Sequence, residues 1–154
     1  MKKLIAVLAV ILLIGAAGAE GRWIICRPDG YVNVRRNPNK GSEVVGYMDA
    51  GDRFETDGAV RNGFIRVTGF GEYGYGWVYL GYVSEDQPEA VNERYACSAK
   101  KRAACRRWAD GPQVEGKAGW IYNGENVTVY YRTEAWCVTS RGFIATEWLE
   151  ADPE

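Results

Sequence analysis

Apolar positions in this chain fall in short runs, separated by turns rich in Gly, Asn and Asp. The run at 23–26 ends at Pro28-Asp29-Gly30, which is a strong turn signal. Similar runs follow at 31–35, 44–48, 53–56, 64–68 and 77–80. Their spacing of about 8 to 12 residues, with no sustained 3.6-residue periodicity, predicts an all-β fold built as a small barrel or sandwich.

The same pattern begins again after residues 84–93, an acidic segment with few large apolar side chains. The ten residues from Gly119 repeat those from Gly46, keeping two glycines and the acidic residue after the second. Three other blocks repeat as well: Tyr95-Ala96-Cys97 matches Ile24-Ile25-Cys26, Cys105-Arg106-Arg107 matches Val34-Arg35-Arg36, and Gly142-Phe143-Ile144 matches Gly76-Trp77-Val78. Because the length changes fall in predicted loops, the pattern indicates a duplicated fold joined by a linker at 84–93.

The first 19 residues are typical of a cleaved secretory signal peptide. Lys2 and Lys3 precede an apolar run at 4–14, and small residues at 17–19 precede Glu20. The apolar run is too short for a typical membrane-spanning helix. We therefore expect a protein that is secreted, periplasmic or associated with the cell wall, without membrane attachment after cleavage.

Charge and composition exclude several classes of function. Removing Lys2 and Lys3 leaves 19 − 2 = 17 basic against 20 acidic residues, so no global field attracts nucleic acid. The chain has no His, which excludes Cys–His and Ser–His nucleophile pairs and His-ligated zinc. The acidic pairs Asp49/Asp52 and Glu147/Glu150 are interpreted as solvated turn residues. We predict no enzymatic activity, no metal and no cofactor.

Four cysteines, Cys26, Cys97, Cys105 and Cys137, lie in the exported part. An oxidising compartment makes two disulfides plausible. Two pairings remain open: Cys97–Cys105 with Cys26–Cys137, or Cys105–Cys137 with Cys26–Cys97.

Four blocks in fixed order resemble the bacterial SH3-like (SH3b) domain. They read V-N-V-R-R-N-P, V-V-G-Y-M-D-A-G-D-R-F, G-F-I-R-V and G-W-V-Y-L-G-Y-V, within residues 22–83. Residues 94–150 resemble the family more weakly, with Cys105 where the family has Val. The resemblance implies two tandem small SH3-like barrels after the signal peptide. The core candidates are Val34, Val45, Phe54, Val78, Val127 and Ile144.

Two sets of side chains are candidates for ligand contacts. The aromatic set is Tyr31, Tyr47, Tyr73, Tyr75, Tyr79 and Tyr82 in the first copy, with Trp108, Trp120, Tyr122 and Trp136 in the second. From it, Tyr31, Tyr47, Tyr73, Tyr75, Trp108 and Trp120 are selected as ligand contacts. Tyr73 and Tyr75 lie in the Gly-rich hairpin loop at 69–76 and are expected to be exposed. The basic set is Lys100, Lys101, Arg102, Arg106 and Arg107. In the first copy, Arg35 and Arg36 are interpreted as the point where a core strand leaves the barrel, and the loop that follows is predicted to meet the ligand.

The resemblance implies an exported, non-catalytic binding protein that recognises cell-wall peptidoglycan or a cell-envelope peptide through SH3-like grooves. The alternative is a secreted protein–protein interaction module, such as an effector, an inhibitor or an envelope-assembly factor. The oligomeric state is left open.

Overall fold

A computed structural model describes residues 23–28, 30–70 and 72–152, and the predicted signal peptide lies outside these ranges. The all-β prediction is confirmed, since the described residues form strands joined by turns and three short 3₁₀ helices. We call residues 23–88 the first half and residues 89–152 the second half.

The described residues of the first half form eight strands in two sheets. They are β1 (Trp23–Ile25), β2 (Tyr31–Arg35), β3 (Val44–Asp49), β4 (Arg53–Phe54), β5 (Val60–Arg61), β6 (Phe64–Thr68), β7 (Tyr75–Tyr79) and β8 (Val83–Ser84). One sheet has the order β3-β2-β7-β6-β5 and the other the order β4-β1-β8. A 3₁₀ helix at Leu80–Tyr82 joins β7 to β8.

The second half contains seven strands, also in two sheets. They are β9 (Glu89–Cys97), β10 (Arg102–Ala104), β11 (Trp120–Tyr122), β12 (Asn126–Arg132), β13 (Trp136–Thr139), β14 (Gly142–Ala145) and β15 (Leu149–Ala151). One sheet has the order β14-β13-β12-β9-β15, and β10 pairs with β11. Two 3₁₀ helices lie at Gly116–Gly119 and Thr146–Trp148.

Residues 89–93, predicted as part of a linker, belong instead to strand β9. Glu89 pairs with Arg132 and Glu93 pairs with Val129 across β12. Both glutamates are exposed, so the acidic composition of this segment reflects a solvent-facing strand. The division into domains at this segment stays a prediction.

Equivalent backbone hydrogen bonds recur in the two halves. The Ile25 amide donates to the Asp52 carbonyl at 2.9 Å, and the Cys97 amide donates to the Glu125 carbonyl at 2.8 Å. Gly51 and Gly124, both at positive φ, return bonds of 2.8 Å to the carbonyls of Ile25 and Cys97. The counterpart of Cys97 is therefore Ile25, and the predicted match of Cys97 with Cys26 is wrong by one residue.

Each half has its own apolar core. Five of the predicted core residues are buried, namely Val34, Phe54, Val78, Val127 and Ile144. Val45 is partly buried against the first core. A small third cluster joins the halves, because Cys26 packs with Val138 and Phe143 of the second half.

All four cysteines are buried free thiols in this structure, so neither predicted disulfide pairing is present. Cys97, Cys105 and Cys137 belong to the second core, while Cys26 lies between the halves. A buried free cysteine packs as a small apolar residue, and Cys97 and Cys137 do so on strands β9 and β13.

Candidate binding grooves

The first half carries a groove that we call the cationic groove. It encloses about 200 Å³ and is lined by Arg27, Asn33, Arg35, Lys40, Phe64, Tyr79 and Tyr82. Strand ends and turns supply these side chains. Phe64 begins β6 and pairs with Tyr79 at the end of β7, and Tyr82 ends the 3₁₀ helix that follows.

Three aromatic rings form one wall of the cationic groove. The rings of Phe64 and Tyr79 meet edge to face at 5.6 Å between centroids, and those of Tyr79 and Tyr82 at 5.4 Å. Burial raises the pKa of the Tyr79 phenol above its ordinary value, the charge of Arg107 opposes this rise, and Tyr82 adds to it. Tyr79 is therefore the central ring of a partly dehydrated aromatic surface.

Cations surround this aromatic wall. Lys40 places its Nζ 5.5 Å from the centroid of the Tyr79 ring, and the Arg27 guanidinium carbon lies 4.7 Å from that of Tyr82. Arg35 Nη1 donates to the Ser42 carbonyl at 2.8 Å, which fixes the guanidinium at the groove. Among residues 23–28, 30–70 and 72–152, no acidic side chain lines this groove. Such a site is suited to an anionic group attached to an apolar or ring-shaped body.

The second half has a larger groove at the equivalent place, which we call the acidic groove. It encloses about 610 Å³ and is lined by Ala104, Arg106, Asp110, Glu134, Ala135, Trp136, Ala145, Glu147 and Trp148.

Strand register shows that the two grooves correspond. Arg106 bridges Phe143 as Arg35 bridges Trp77, and Trp136 pairs with Ala145 as Phe64 pairs with Tyr79. The Ser98 amide donates to the Trp148 carbonyl as the Cys26 amide donates to that of Tyr82. The central tyrosine of the cationic groove is thus replaced by Ala145, which widens the second groove.

The four tyrosines selected as ligand contacts lie outside both grooves. Tyr31 and Tyr47 are 53% and 63% exposed and meet edge to face at 5.5 Å on neighbouring strands. Tyr73 and Tyr75 are also exposed, as expected, and line a separate cavity of about 290 Å³. Their role in ligand binding stays a prediction.

The two predicted tryptophans have intramolecular partners. Trp108 contacts Tyr79 of the first half, with ring centroids 6.0 Å apart. Trp120 lies under the Arg102 guanidinium, whose carbon is 3.7 Å from the ring centroid. Both rings are half-buried, and Trp108 belongs to the contact between the halves.

The five side chains of the predicted basic set lie in different surroundings. Arg102 lies on Trp120, Arg106 lines the acidic groove, and Arg107 pairs with Glu115 at 3.5 Å. Lys100 and Lys101 are exposed. Three of the five charges therefore face different surroundings.

Several groove residues were not among the selected ligand contacts. Arg35, interpreted as scaffold, lines the cationic groove, and Lys40 comes from the loop that was predicted to meet the ligand. Tyr79 directly precedes the 3₁₀ helix after the G-W-V block, and Tyr82 is its last residue. Trp148 is the last residue of the matching helix in the second half. The sequence signal for these residues is the aromatic residue near the end of each half, Tyr82 in the first and Trp148 in the second.

Among residues 23–28, 30–70 and 72–152, no group of three or more Cys, Asp or Glu side chains is arranged to hold a metal ion. Over the same ranges, no helix is long and apolar enough to cross a membrane.

No curated protein matches the sequence of this chain. The solved structure of NlpC1 from Trichomonas vaginalis is similar with a TM-score of 0.35 and 12% identity, over 84% of this chain and 45% of that one. NlpC2 from the same organism is similar with a TM-score of 0.34 and 10% identity, over 84% of this chain and 47% of that one. The chain thus spans just under half the length of either protein. Residues 30–84 match the family model of the bacterial SH3 domain, and this segment supplies every residue of the cationic groove except Arg27.

Proposed function

We propose that this chain is an exported, non-catalytic binding protein that recognises cell-wall peptidoglycan or a cell-envelope peptide. The observation that carries the proposal is the coincidence of the bacterial SH3 match at residues 30–84 with the cationic groove. The match favours a wall-binding module, and the groove offers the surface on which it acts.

The chemistry of the groove fits such a ligand. Wall peptides carry carboxylates, which the cations Arg35 and Lys40 can pair with. The edge-to-face rings of Phe64, Tyr79 and Tyr82 offer an apolar surface to the neighbouring part of the ligand. A groove of about 200 Å³ accommodates a short segment of a longer ligand, so a single contact of this size is expected to be weak.

We further propose that the second half is a diverged SH3-like unit. The support is the recurrence of the Ile25–Asp52 hydrogen bond as Cys97–Glu125, together with the equivalent pairing of Trp136 with Ala145. Two weak sites on one chain gain apparent affinity when both engage one polymeric ligand.

The test is co-sedimentation of the exported form with purified peptidoglycan. We expect the unaltered chain to sediment with the polymer, and Lys40→Gln to lower the bound fraction about two- to five-fold. Lys117→Gln is the matched control, because Lys117 is an exposed lysine that lines neither groove. Sedimentation no greater than that of an unrelated β protein would overturn the wall-binding proposal.

One observation favours the second candidate, a protein–protein interaction module. The exposed rings of Tyr31 and Tyr47 form a contiguous aromatic surface on β2 and β3, and aromatic residues are enriched at protein interfaces. If this candidate is right, Tyr47→Ser abolishes capture of a purified envelope protein while Lys40→Gln does not.

A further inference from the structure

The acidic groove continues into a neighbouring cavity between the two halves. The two cavities share Asp110, Ala135 and Trp136, and the second encloses about 250 Å³. We call the combined space the acidic cleft. Four tryptophans line it, namely Trp23, Trp108, Trp136 and Trp148.

Carboxylates line the same cleft. Asp110, Glu134 and Glu147 lie at the acidic groove, and Glu85 and Asp86 at its continuation. Arg106 is the one cation among the described residues of the lining, and its Nη1 donates to the Gly111 carbonyl at 2.8 Å. Among the described residues, no ion pair neutralises Asp110, Glu134 or Glu147. The cleft therefore carries a net negative charge against aromatic walls.

Comparison with the cationic groove shows that this charge differs at equivalent positions. Strand register places Glu147 where the first half has Gly81, and Glu134 where it has Asn62. Of the residues that the structure describes, three cations and no acid line the cationic groove. The two halves thus present grooves at the same place with opposite charge.

We infer that the acidic cleft binds an extended peptide through an aliphatic primary ammonium group of the lysine type. Tryptophan is the best aromatic partner for a cation within about 6 Å of its ring. Carboxylates line the same cleft and supply the negative charge that attracts an ammonium group. A divalent metal fits less well, since no group of three carboxylates in the described ranges is arranged to hold one.

This inference is independent of the binding proposed for the cationic groove. If the acidic cleft does not bind ammonium groups, the chain can still bind peptidoglycan through Lys40 and Arg35 of the cationic groove. Conversely, the acidic cleft can bind lysine peptides in a chain that does not bind peptidoglycan. A negative result in the peptidoglycan co-sedimentation is therefore distinguishable from a negative result in the lysine peptide titration.

The probe is the blocked tripeptide acetyl-Ala-Lys-Ala-amide, titrated into the exported form and followed by the indole N–H signals of the tryptophans in two-dimensional NMR. We expect the Trp136 and Trp148 signals to move in a saturable way, while that of Trp77, which is buried, stays in place. The same tripeptide with an Nε-acetylated lysine keeps the shape and loses the charge, and we expect it to bind at least five-fold more weakly.

The variant Glu134→Gln/Glu147→Gln removes two charges from exposed side chains and keeps their size. We expect it to weaken binding of the lysine tripeptide about five- to ten-fold, with an otherwise unchanged spectrum. Lys40→Gln is the matched control and should leave this binding unaltered. Equal binding of the acetylated and unmodified tripeptides, or unaltered binding in the double variant, would overturn the inference.

Discussion

The indole ring of Trp108 meets the phenol ring of Tyr79 edge to face, with centroids 6.0 Å apart and planes at 87°. Trp108 belongs to a loop of the second half, and Tyr79 is the central ring of the cationic groove in the first. Gly63 makes room for this contact, since a Cβ at that position would lie 2.8 Å from Trp108 Cη2. The second half therefore packs against the central aromatic ring of the cationic groove in the first half.

Trp108→Ala is expected to destabilise the protein. The substitution removes a half-buried indole from the contact between the halves and leaves the Tyr79 ring uncovered on one edge. Loss of aromatic burial at a partly exposed site should lower the free energy of unfolding by about 2 kcal/mol. Guanidinium unfolding measures the change, and Tyr47→Ala is the control at an exposed ring. An unfolding midpoint equal to that of the control would show that the Trp108 contact contributes nothing.

The titration of Tyr79 offers a second test of the same contact. Burial raises the pKa of this phenol, while the positive charge of Arg107 lowers it by favouring the phenolate. Arg107→Gln should therefore raise the Tyr79 pKa further, and Trp108→Ala should lower it by admitting water. Carbon-13 NMR of the tyrosine ring carbon bonded to the hydroxyl follows this titration. Shifts of the Tyr79 pKa in the reverse directions would contradict the assigned causes.

The sequence predicted the strands and cores well because both depend on local alternation of apolar and polar residues. Val34, Phe54 and Val78 are buried because each falls on the inward face of a short strand. Gly51 and Gly124, two of the positions on which the predicted repeat rests, both lie in turns at positive φ, which favours glycine.

The grooves were harder to predict, because they form where distant segments meet. Tyr79 becomes a groove residue only when β7 pairs with Phe64 on β6 and the loop containing Lys40 crosses above it. Spacing along the chain does not contain that information. Residues 89–93 were predicted as part of a linker because an exposed strand can have the same polar composition as a linker.

Gly76 is expected to be intolerant of any side chain. It lies in β7, where an added Cβ would overlap with Val34 Cγ1 of the neighbouring strand in the first core. Gly76→Ala should lower the free energy of unfolding by about 1–3 kcal/mol through overpacking. Gly41→Ala is the matched control, since its Cβ would meet only Asn39 Oδ1 at an ordinary 3.6 Å. Equal denaturation midpoints for the two variants would refute the close approach of β7 and β2.

Cys26 should make stability depend on alkaline pH. Its thiol is buried between the halves, and burial raises its pKa from 9.0 to about 12. Between these two values the unfolded chain loses the thiol proton while the folded chain keeps it. The free energy of unfolding should therefore fall as pH rises from 9 to 12, by at most about 1.4 kcal/mol per pH unit for this group.

Comparison with Cys26→Ala isolates this dependence, because the burial-raised pKa values of Cys105 and Cys137 affect both proteins alike. We expect urea unfolding at pH 8, 9 and 10 to show a steeper loss of stability in the unaltered protein than in the variant. At pH 8 the native thiol should resist a maleimide, whereas the denatured, unreduced chain should take up four labels, one per free cysteine. If the free energy of unfolding falls equally with pH in both proteins, the Cys26 thiol is not buried as described. If the denatured, unreduced chain takes up fewer than four labels, some cysteines are paired in the disulfides predicted for an exported protein.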